Sequence, residues 1–347
     1  MAYHFKNLVF EGGGEKGIAY VGALEVLDKE GILPDIERVA GTSAGAMVAV
    51  LIGLGYSAKE LQDILWSINF QNFLDNSWGF VRNTKRLLED YGWYKGEFFR
   101  NLMADYIKDK TGNGETTFAE FKKMIKDNPS FKDIHLIGTD LTTGYSKVFN
   151  SKFTPNLKIA DAARISMSIP LFFSAVRGYG ANDNNHVYVD GGLLDNYAIK
   201  VFDNIEYLAN KKRARRTDYY ERINKTLVKD RKPDTKEYVY NKETLGFRLD
   251  AKEEIAMFLN QGEAPTKDIN SFFSYTKALV STLIDFQNNV HLHSDDWQRT
   301  VYIDSLGISA IDFNISDTKK KKLVESGAQY TESYLEWYNN DEEKANK

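Results

Sequence analysis

The chain has no cysteine. Disulfides, thiolate catalysis and cysteine-ligated metals are thereby excluded. It has five histidines, so a metal centre or a histidine-dependent mechanism would have few positions to draw on. An uninterrupted apolar run of about 18 residues, the length that spans a membrane, is absent. The start, Met1-Ala2-Tyr3-His4-Phe5-Lys6-Asn7, lacks the long apolar stretch of a secretory signal. A cytoplasmic or peripheral-membrane protein is expected, with signal-less export left open. There is no basic excess: the net charge is -4 and the pI about 5.9, against a general nucleic-acid binder. With 347 residues, 42% of them apolar, the chain is long enough for one large domain or two ordinary ones.

What the chain does have is a pair of glycine-framed segments, each at a predicted strand-to-helix turn. Gly12-Gly13-Gly14-Glu15-Lys16-Gly17 follows the apolar run Leu8-Val9-Phe10, and Gly41-Thr42-Ser43-Ala44-Gly45 follows Ile36-Glu37-Arg38-Val39-Ala40. The second has the G-x-S-x-G form of a nucleophile elbow, in which Gly41 and Gly45 permit a tight turn and Ser43 is lifted out of it. The helix that Ala44 opens would add partial positive charge beside the serine. An ordinary glycine turn is the competing reading. The first segment offers unhindered backbone N–H groups, the material of an oxyanion hole. Gly12, Gly14 and Gly17 also fit the G-x-G-x-x-G dinucleotide string, which wants an acidic residue about twenty positions on. Glu37 has that spacing, yet it falls early in a strand that runs on to Gly41. A P-loop wants lysine after the second glycine, whereas Lys16 precedes Gly17. Lys16 either adds positive charge to the site or is a solvated lysine.

Strands alternating with helices over 5–60 predict a parallel sheet covered by helices on both faces. Tyr20, Ala23, Leu24 and Leu27 form one buried helical stripe, and the segment after Ser43 is apolar almost all round, so it should be a buried helix. Ser57 with Glu60 is a capping-box pattern. His135–Leu141 reads as a core strand, 157–168 as a helix ending before Pro170, and Val187–Val189 as a short strand ending at Asp190. From about 204 to 250 charge dominates, with eleven Lys/Arg against four Asp/Glu between Lys211 and Lys236. Phe272, Tyr275, Leu279, Leu283, Phe286 and Val290 then share a helical stripe, read first as core and otherwise as an interfacial helix or lid. A strand at Val301–Ile303 and a helix from Ser316 close the pattern.

A nucleophilic serine needs a base. His4 lies near the start and His135 at the wrong end of a strand. His186 lies in a polar loop, and His291 and His293 come late, where a triad histidine would. None has a signature around it. Asp190 does: it ends a strand and is followed by Gly191-Gly192, so its carboxylate would emerge at the carboxyl edge of the sheet. Asp140 competes, and is read first as a turn residue.

These motifs, in this order, resemble the patatin-like phospholipases. So do Ala163-Arg164-Ile165-Ser166-Met167-Ser168-Ile169-Pro170, Asp195-Asn196-Tyr197 and the last strand and helix. One departure is Ala198, where many relatives have proline. The resemblance implies a three-layer α/β/α fold with a mainly parallel central sheet, and a Ser43–Asp190 dyad without a catalytic histidine. It implies oxyanion N–H groups from Gly13 and Gly14, with Gly12, Lys16, Gly17 and Ala44 around the substrate. No metal and no cofactor are implied. The expected division is a catalytic core over 5–203, a charged and helical insertion over 204–296 that could serve as lid or membrane face, and a closing strand and helix over 297–340. The expected activity is a lipid acyl hydrolase of the phospholipase A or lysophospholipase type. The alternatives are a Ser-His-Asp esterase using His291 or His293, and a non-catalytic lipid-binding protein. The cluster Lys211-Lys212-Arg213, Arg215-Arg216 would attract an anionic membrane, or is a solvated face. A protein partner or activator is left open.

Overall fold

Two short runs, Asn7–Phe10 and Arg38–Thr42, form adjacent parallel strands β1 and β2. All but Arg38 of their residues are buried, as strands covered on both faces require. The computed structural model of the protein describes residues 3–68, 89–178, 185–228, 237–250, 269–271, 274–276, 278–283, 295–309, 315–340 and 346. Further along the chain come β3 (Gly92–Tyr94), β4 (Asp133–Asp140), β5 (Tyr145–Phe149), β6 (Leu171–Phe173), β7 (Val176–Arg177), β8 (Val187–Asp190), β9 (Ala214–Arg215), β10 (Tyr240–Asn241), β11 (Thr244–Asp250) and β12 (Thr300–Asp304). The central sheet runs β12-β11-β1-β2-β4-β8-β7, with β5 also paired to β4. From β12 to β4 every pairing is parallel, whereas β5, β7 and β8 run antiparallel to their neighbours. The pairs β3–β6 and β9–β10 lie outside this sheet.

Helices α1 (Ala19–Lys29), α2 (Ala44–Gly53), α3 (Ala58–Ser67), α4 (Glu97–Thr111), α5 (Phe118–Met124), α6 (Ile159–Ser166), α7 (Asp218–Val228) and α8 (Asp317–Asn340) complete the described elements. Every residue of α2 is buried, as its all-round apolar sequence predicts. Ser57 and Glu60 cap α3 reciprocally. Leu8, Phe10 and Val39 point into the main core with α1 and α2. Val9 and Ala40 point to the other face, onto Tyr197, Ile199 and Phe202. On α1, a methyl group at Gly22 would come within 1.9 Å of the Val324 carbonyl oxygen, and one at Gly327 within 1.9 Å of that of Ala19. The backbones of α1 and α8 are therefore in direct contact. Among the described residues no helix is long and apolar enough to cross a membrane.

Two expectations need correction and a third refinement. The stretch 204–296 is not simply an insertion, because Thr244–Asp250 within it is β11, a fully buried strand between β1 and β12. The same stretch is tied in by Arg299, which donates to the Asn241 carbonyl at 3.2 Å and to Asp296 at 2.6 Å, and bridges to both oxygens of Asp203 just before the stretch at 2.5 and 2.6 Å. The apolar stripe is not core where it is described: Tyr275, Leu279 and Leu283 are 53%, 42% and 40% exposed, while Thr276 and Val280 face inward. Phe272, Phe286 and Val290 lie outside the described residues. Finally, β8 runs against β4, with Asp190 opposite Gly138: Asp190 does lie at the carboxyl edge of the parallel strands, but it is carried there by an antiparallel strand.

Candidate active site

Ser43 stands between β2 and α2 with φ 53° and ψ -124°, a backbone that a side-chain-bearing residue rarely adopts. The turn is tight because chains approach closely. A methyl at Gly41 would lie 2.1 Å from the Gly45 carbonyl oxygen, and one at Gly45 would lie 2.3 Å from that of Phe10. Both positions therefore require glycine. The geometry is that of an elbow presenting a serine at a helix N-terminus, where the helix dipole favours negative charge.

Asp190 reaches the same place from the other direction. Register puts Thr42 beside Ile137 and Gly138 beside Asp190, so Ser43 and Asp190 end at one level of the sheet. A methyl at Gly191 would lie 2.6 Å from the Ile137 carbonyl oxygen and 2.9 Å from Thr42 Cγ2; the Asp190–Gly192 turn packs directly on the elbow. The Gly192 N–H donates to Asp190 Oδ1 at 2.7 Å. Burial pushes the Asp190 carboxyl from an ordinary 3.8 up to about 7, against the pull of the Gly192 N–H and the Ser43 hydroxyl. The serine is thus within electrostatic reach of Asp190, but its own hydrogen bond goes to Met167 Sδ at 3.6 Å. Asp190 Oδ2 is buried without a hydrogen-bond partner.

Three consecutive residues join Ser43 and Asp190, and reading the sequence did not single out their roles. Ser166 Oγ accepts the Ser43 N–H at 3.0 Å and donates to the Ile137 carbonyl at 2.6 Å. Met167 accepts the Ser43 hydroxyl, and the Ser168 carbonyl accepts the Asp190 N–H at 2.9 Å. The available signal was the polar Ser-Met-Ser between a helix and Pro170. Asn196 is a fourth residue whose role was not singled out. Its carbonyl accepts the Gly12 N–H at 3.1 Å and its Nδ2 donates back to the Gly12 carbonyl at 3.2 Å. A methyl at Gly12 would strike Asn196 Oδ1 at 2.3 Å and one at Gly192 would reach it at 2.9 Å. Asn196 therefore wedges between the Gly12–Gly17 loop and the Asp190 turn.

The loop itself turns through Gly14 at φ 57°. A methyl at Gly12 would also come 3.0 Å from Ser43 Cβ, and one at Gly17 3.3 Å from Ala44 Cβ, so the loop borders the elbow. A methyl at Gly13 would strike Leu249 Cδ1 at 2.6 Å. Lys16 is not solvated. It is 5% exposed and donates to the Leu249 carbonyl at 2.9 Å. Glu15 accepts the Ile315 N–H at 3.1 Å and lies 3.5 Å from Lys320 Nζ. The structure brings Ser43, Asp190 and all the motif glycines together.

The histidines do not join them where they are described. His186 pairs with Asp140 at 2.7 Å, and Asp140 also accepts the Thr142 N–H at 3.0 Å. Burial raises the Asp140 carboxyl, but hydrogen bonds from His186, Thr143 and Thr142 outweigh it and hold it below the usual range. His186 is four residues up the strand from Asp190, about 13 Å at strand spacing. His135 is buried and pushed down to about 4 by that burial. His291 and His293 lie outside the described residues. The basic cluster sits at the opposite edge of the sheet, since the Lys242 N–H, just before β11, donates to the Arg213 carbonyl at 3.1 Å. There Arg215 pairs with Asp295 and Arg216 with Glu237. Among the described residues no group of three or more metal-binding side chains is assembled.

Residues 8–203 match the sequence profile described as patatin-like phospholipase. The chain belongs to the patatin-like phospholipase family. The matched span runs from β1 past the Asp190 turn, so it contains the elbow, the glycine loop and Asp190. The chain is 29% identical over 339 residues to the uncharacterized protein YqhO of Bacillus subtilis (strain 168), covering 94% of this chain and 97% of that one. It is 26% identical over 223 residues to the probable lipid hydrolase 463L of Invertebrate iridescent virus 6, covering 62% and 68%. Among solved structures it resembles VipD from Legionella pneumophila, with a TM-score of 0.57 at 18% identity, covering 96% of this chain and 67% of that one. That last likeness bears on the fold.

Proposed function

We propose that this chain hydrolyses carboxylic esters of lipids through an acyl-enzyme, with Ser43 as nucleophile and Asp190 as base. The observation that carries this reading is the buried Asp190 carboxylate beside the elbow, one oxygen bonded to Gly192 and the other without a partner. A carboxylate of ordinary pKa is a weak base towards a hydroxyl; burial makes Asp190 a better one near neutrality. The Ser43 hydroxyl turns from Met167 to Asp190 Oδ2 and gives up its proton as Oγ attacks the ester carbonyl. The oxyanion is met by the Gly13 and Gly14 N–H groups, since that of Gly12 is taken by Asn196. Each such donor is worth about 3 kcal/mol. The alkoxide leaves with the proton from Asp190. Water then gives a proton to Asp190, attacks the acyl-serine, and releases a fatty acid while Ser43 regains its proton.

The membrane-facing surface of such an enzyme is not the 211–216 cluster. That cluster lies at the amino edge, about 16 Å of strand away from Ser43, so a membrane gathered there would not meet the serine. The test is a fluorophosphonate probe followed by a phospholipid panel with products resolved by mass. Labelling at Ser43, and loss of turnover in Ser43→Ala and Asp190→Asn, are expected, while the His291→Ala/His293→Ala double variant keeps its activity. Loss in the folded histidine variant would establish the triad instead. Lipid binding without labelling would establish the non-catalytic reading.

A further inference from the structure

The Gly12–Gly17 loop is anchored from behind by Glu11, and Glu11 is anchored on β11. Its Oε2 accepts the Leu249 N–H at 2.7 Å. Its Oε1 accepts Asn196 Nδ2 at 3.4 Å and lies 3.8 Å from Arg248 Nε. The Glu11 carbonyl accepts the Tyr20 hydroxyl at 2.7 Å. Beside it stand Asp250, whose Oδ1 accepts Arg248 Nη2 at 2.7 Å, and Lys16. Arg248 is completely buried, its guanidinium carbon 5.7 and 5.4 Å from the ring centres of Tyr197 and Tyr302. Two carboxylates and two cations thus share one dry cluster in which formal charge cancels. The cluster is not saturated: Arg248 Nε and Nη1 and Asp250 Oδ2 are buried without hydrogen-bond partners.

A buried ionic cluster is a poor source of stability, because well-packed apolar side chains often serve as well or better. This one does hold the loop. Both groups bonded to the Glu11 carboxylate, the Leu249 N–H and the Asn196 amide, are donors. A protonated Glu11 would be a donor at one oxygen and would lose an anchor there. Burial favours the proton and, as the largest influence, lifts the Glu11 carboxyl above its ordinary range. Arg248 opposes it most strongly and Lys16 less, Asp250 works the other way, and the Leu249 N–H helps hold the charge. Tyr20 from α1 and Tyr302 from β12 face the carboxylate as well.

We propose that Arg248 is a positioning residue for the acyl-transfer site: its charge keeps Glu11 an acceptor, and Glu11, through β11 and Asn196, holds the loop that presents the Gly13 and Gly14 N–H groups. This rests on the function proposed above. The test compares wild type, Arg248→Lys, Arg248→Met and the pair Glu11→Gln/Arg248→Met, which removes one charge of each sign and leaves the formal charges of Asp250 and Lys16 balanced. The readouts are kcat and KM on a soluble acyl ester from pH 5.5 to 9, per site titrated with a fluorophosphonate, and thermal unfolding. Arg248→Met should lower kcat about 100-fold, the scale of one lost oxyanion donor. Its KM should change less than about threefold, and the acid limb of its profile should move up by about one pH unit or more. Arg248→Lys should recover most of kcat and the original limb. The double variant should stay slow with the original limb, which keeps the test decisive if Arg248→Met does not fold. Variants that melt earlier but keep kcat per titrated site and the pH profile would overturn the proposal and leave Arg248 a packing role. A wild-type chain that neither hydrolyses esters nor takes up the probe would overturn the function reading itself, and this proposal with it.

Discussion

Asp190→Asn should make the protein more stable while removing its activity, and the size of the gain should depend on pH. Asp190 is buried and its carboxyl is pushed from 3.8 to about 7. In the unfolded chain it ionises at the ordinary value. Between those values the folded form holds a proton that the unfolded form has lost, so stability falls as pH rises, by about 1.4 kcal/mol per pH unit. The full penalty is roughly 4 kcal/mol above pH 7, and relaxation around the charge brings it to about 2–4 kcal/mol. Asparagine keeps an oxygen for the Gly192 N–H but carries no charge. For 347 residues the unfolding entropy converts each kcal/mol into about 1.4 °C, so Asp190→Asn should melt about 3–6 °C higher at pH 8. The gain should shrink to nearly nothing by pH 4. The assay is calorimetric or circular-dichroism melting of both proteins from pH 4 to 8.5. A difference independent of pH, or a less stable variant at pH 8, would refute the claim that Asp190 is held as a costly buried base.

The same shift predicts that wild-type kcat/KM on a soluble ester rises with pH through an apparent value near 7; a limb near 4 would mean that another group is the base. Ser43→Gly relieves the positive φ and should stabilise the chain by about 1 kcal/mol while losing all turnover, read by denaturant unfolding alongside the activity assay. Arg299→Met removes the buried guanidinium that pairs with the carboxylates of Asp203 and Asp296 and should cost about 3–5 kcal/mol, whereas substitution of the exposed Lys212 should leave the melting temperature unchanged.

Much of the site was legible because its demands are local. A turn that forces Ser43 to positive φ needs Gly41 and Gly45 within two residues of it, and Asp190-Gly191-Gly192 carries its own hydrogen bond. The parts that stayed hidden are those whose partners are far along the chain. Ser166 and Met167 bond a serine more than a hundred residues earlier, and the polar Ser-Met-Ser before Pro170 marks a special segment without naming that partner. Strand β11 escaped notice because Arg248 and Asp250 are polar residues at buried positions, and each makes sense only beside Glu11 and Lys16. The direction of β8 is invisible in four residues that read the same either way. At 275–283 helical spacing predicts a stripe that the structure leaves exposed, because periodicity identifies a stripe and not what covers it.

The close seam between α1 and α8 bears on how the protein is born. Glu15, in the Gly12–Gly17 loop, precedes Ile315 by 300 residues yet accepts its N–H and lies beside Lys320, and the α1 backbone touches that of α8. Translation therefore delivers the serine, the aspartate and every motif glycine well before the loop has its supports. Competence should arrive as one event, when α8 docks. A chain interrupted before that point would carry the whole signature of the family without the finished site.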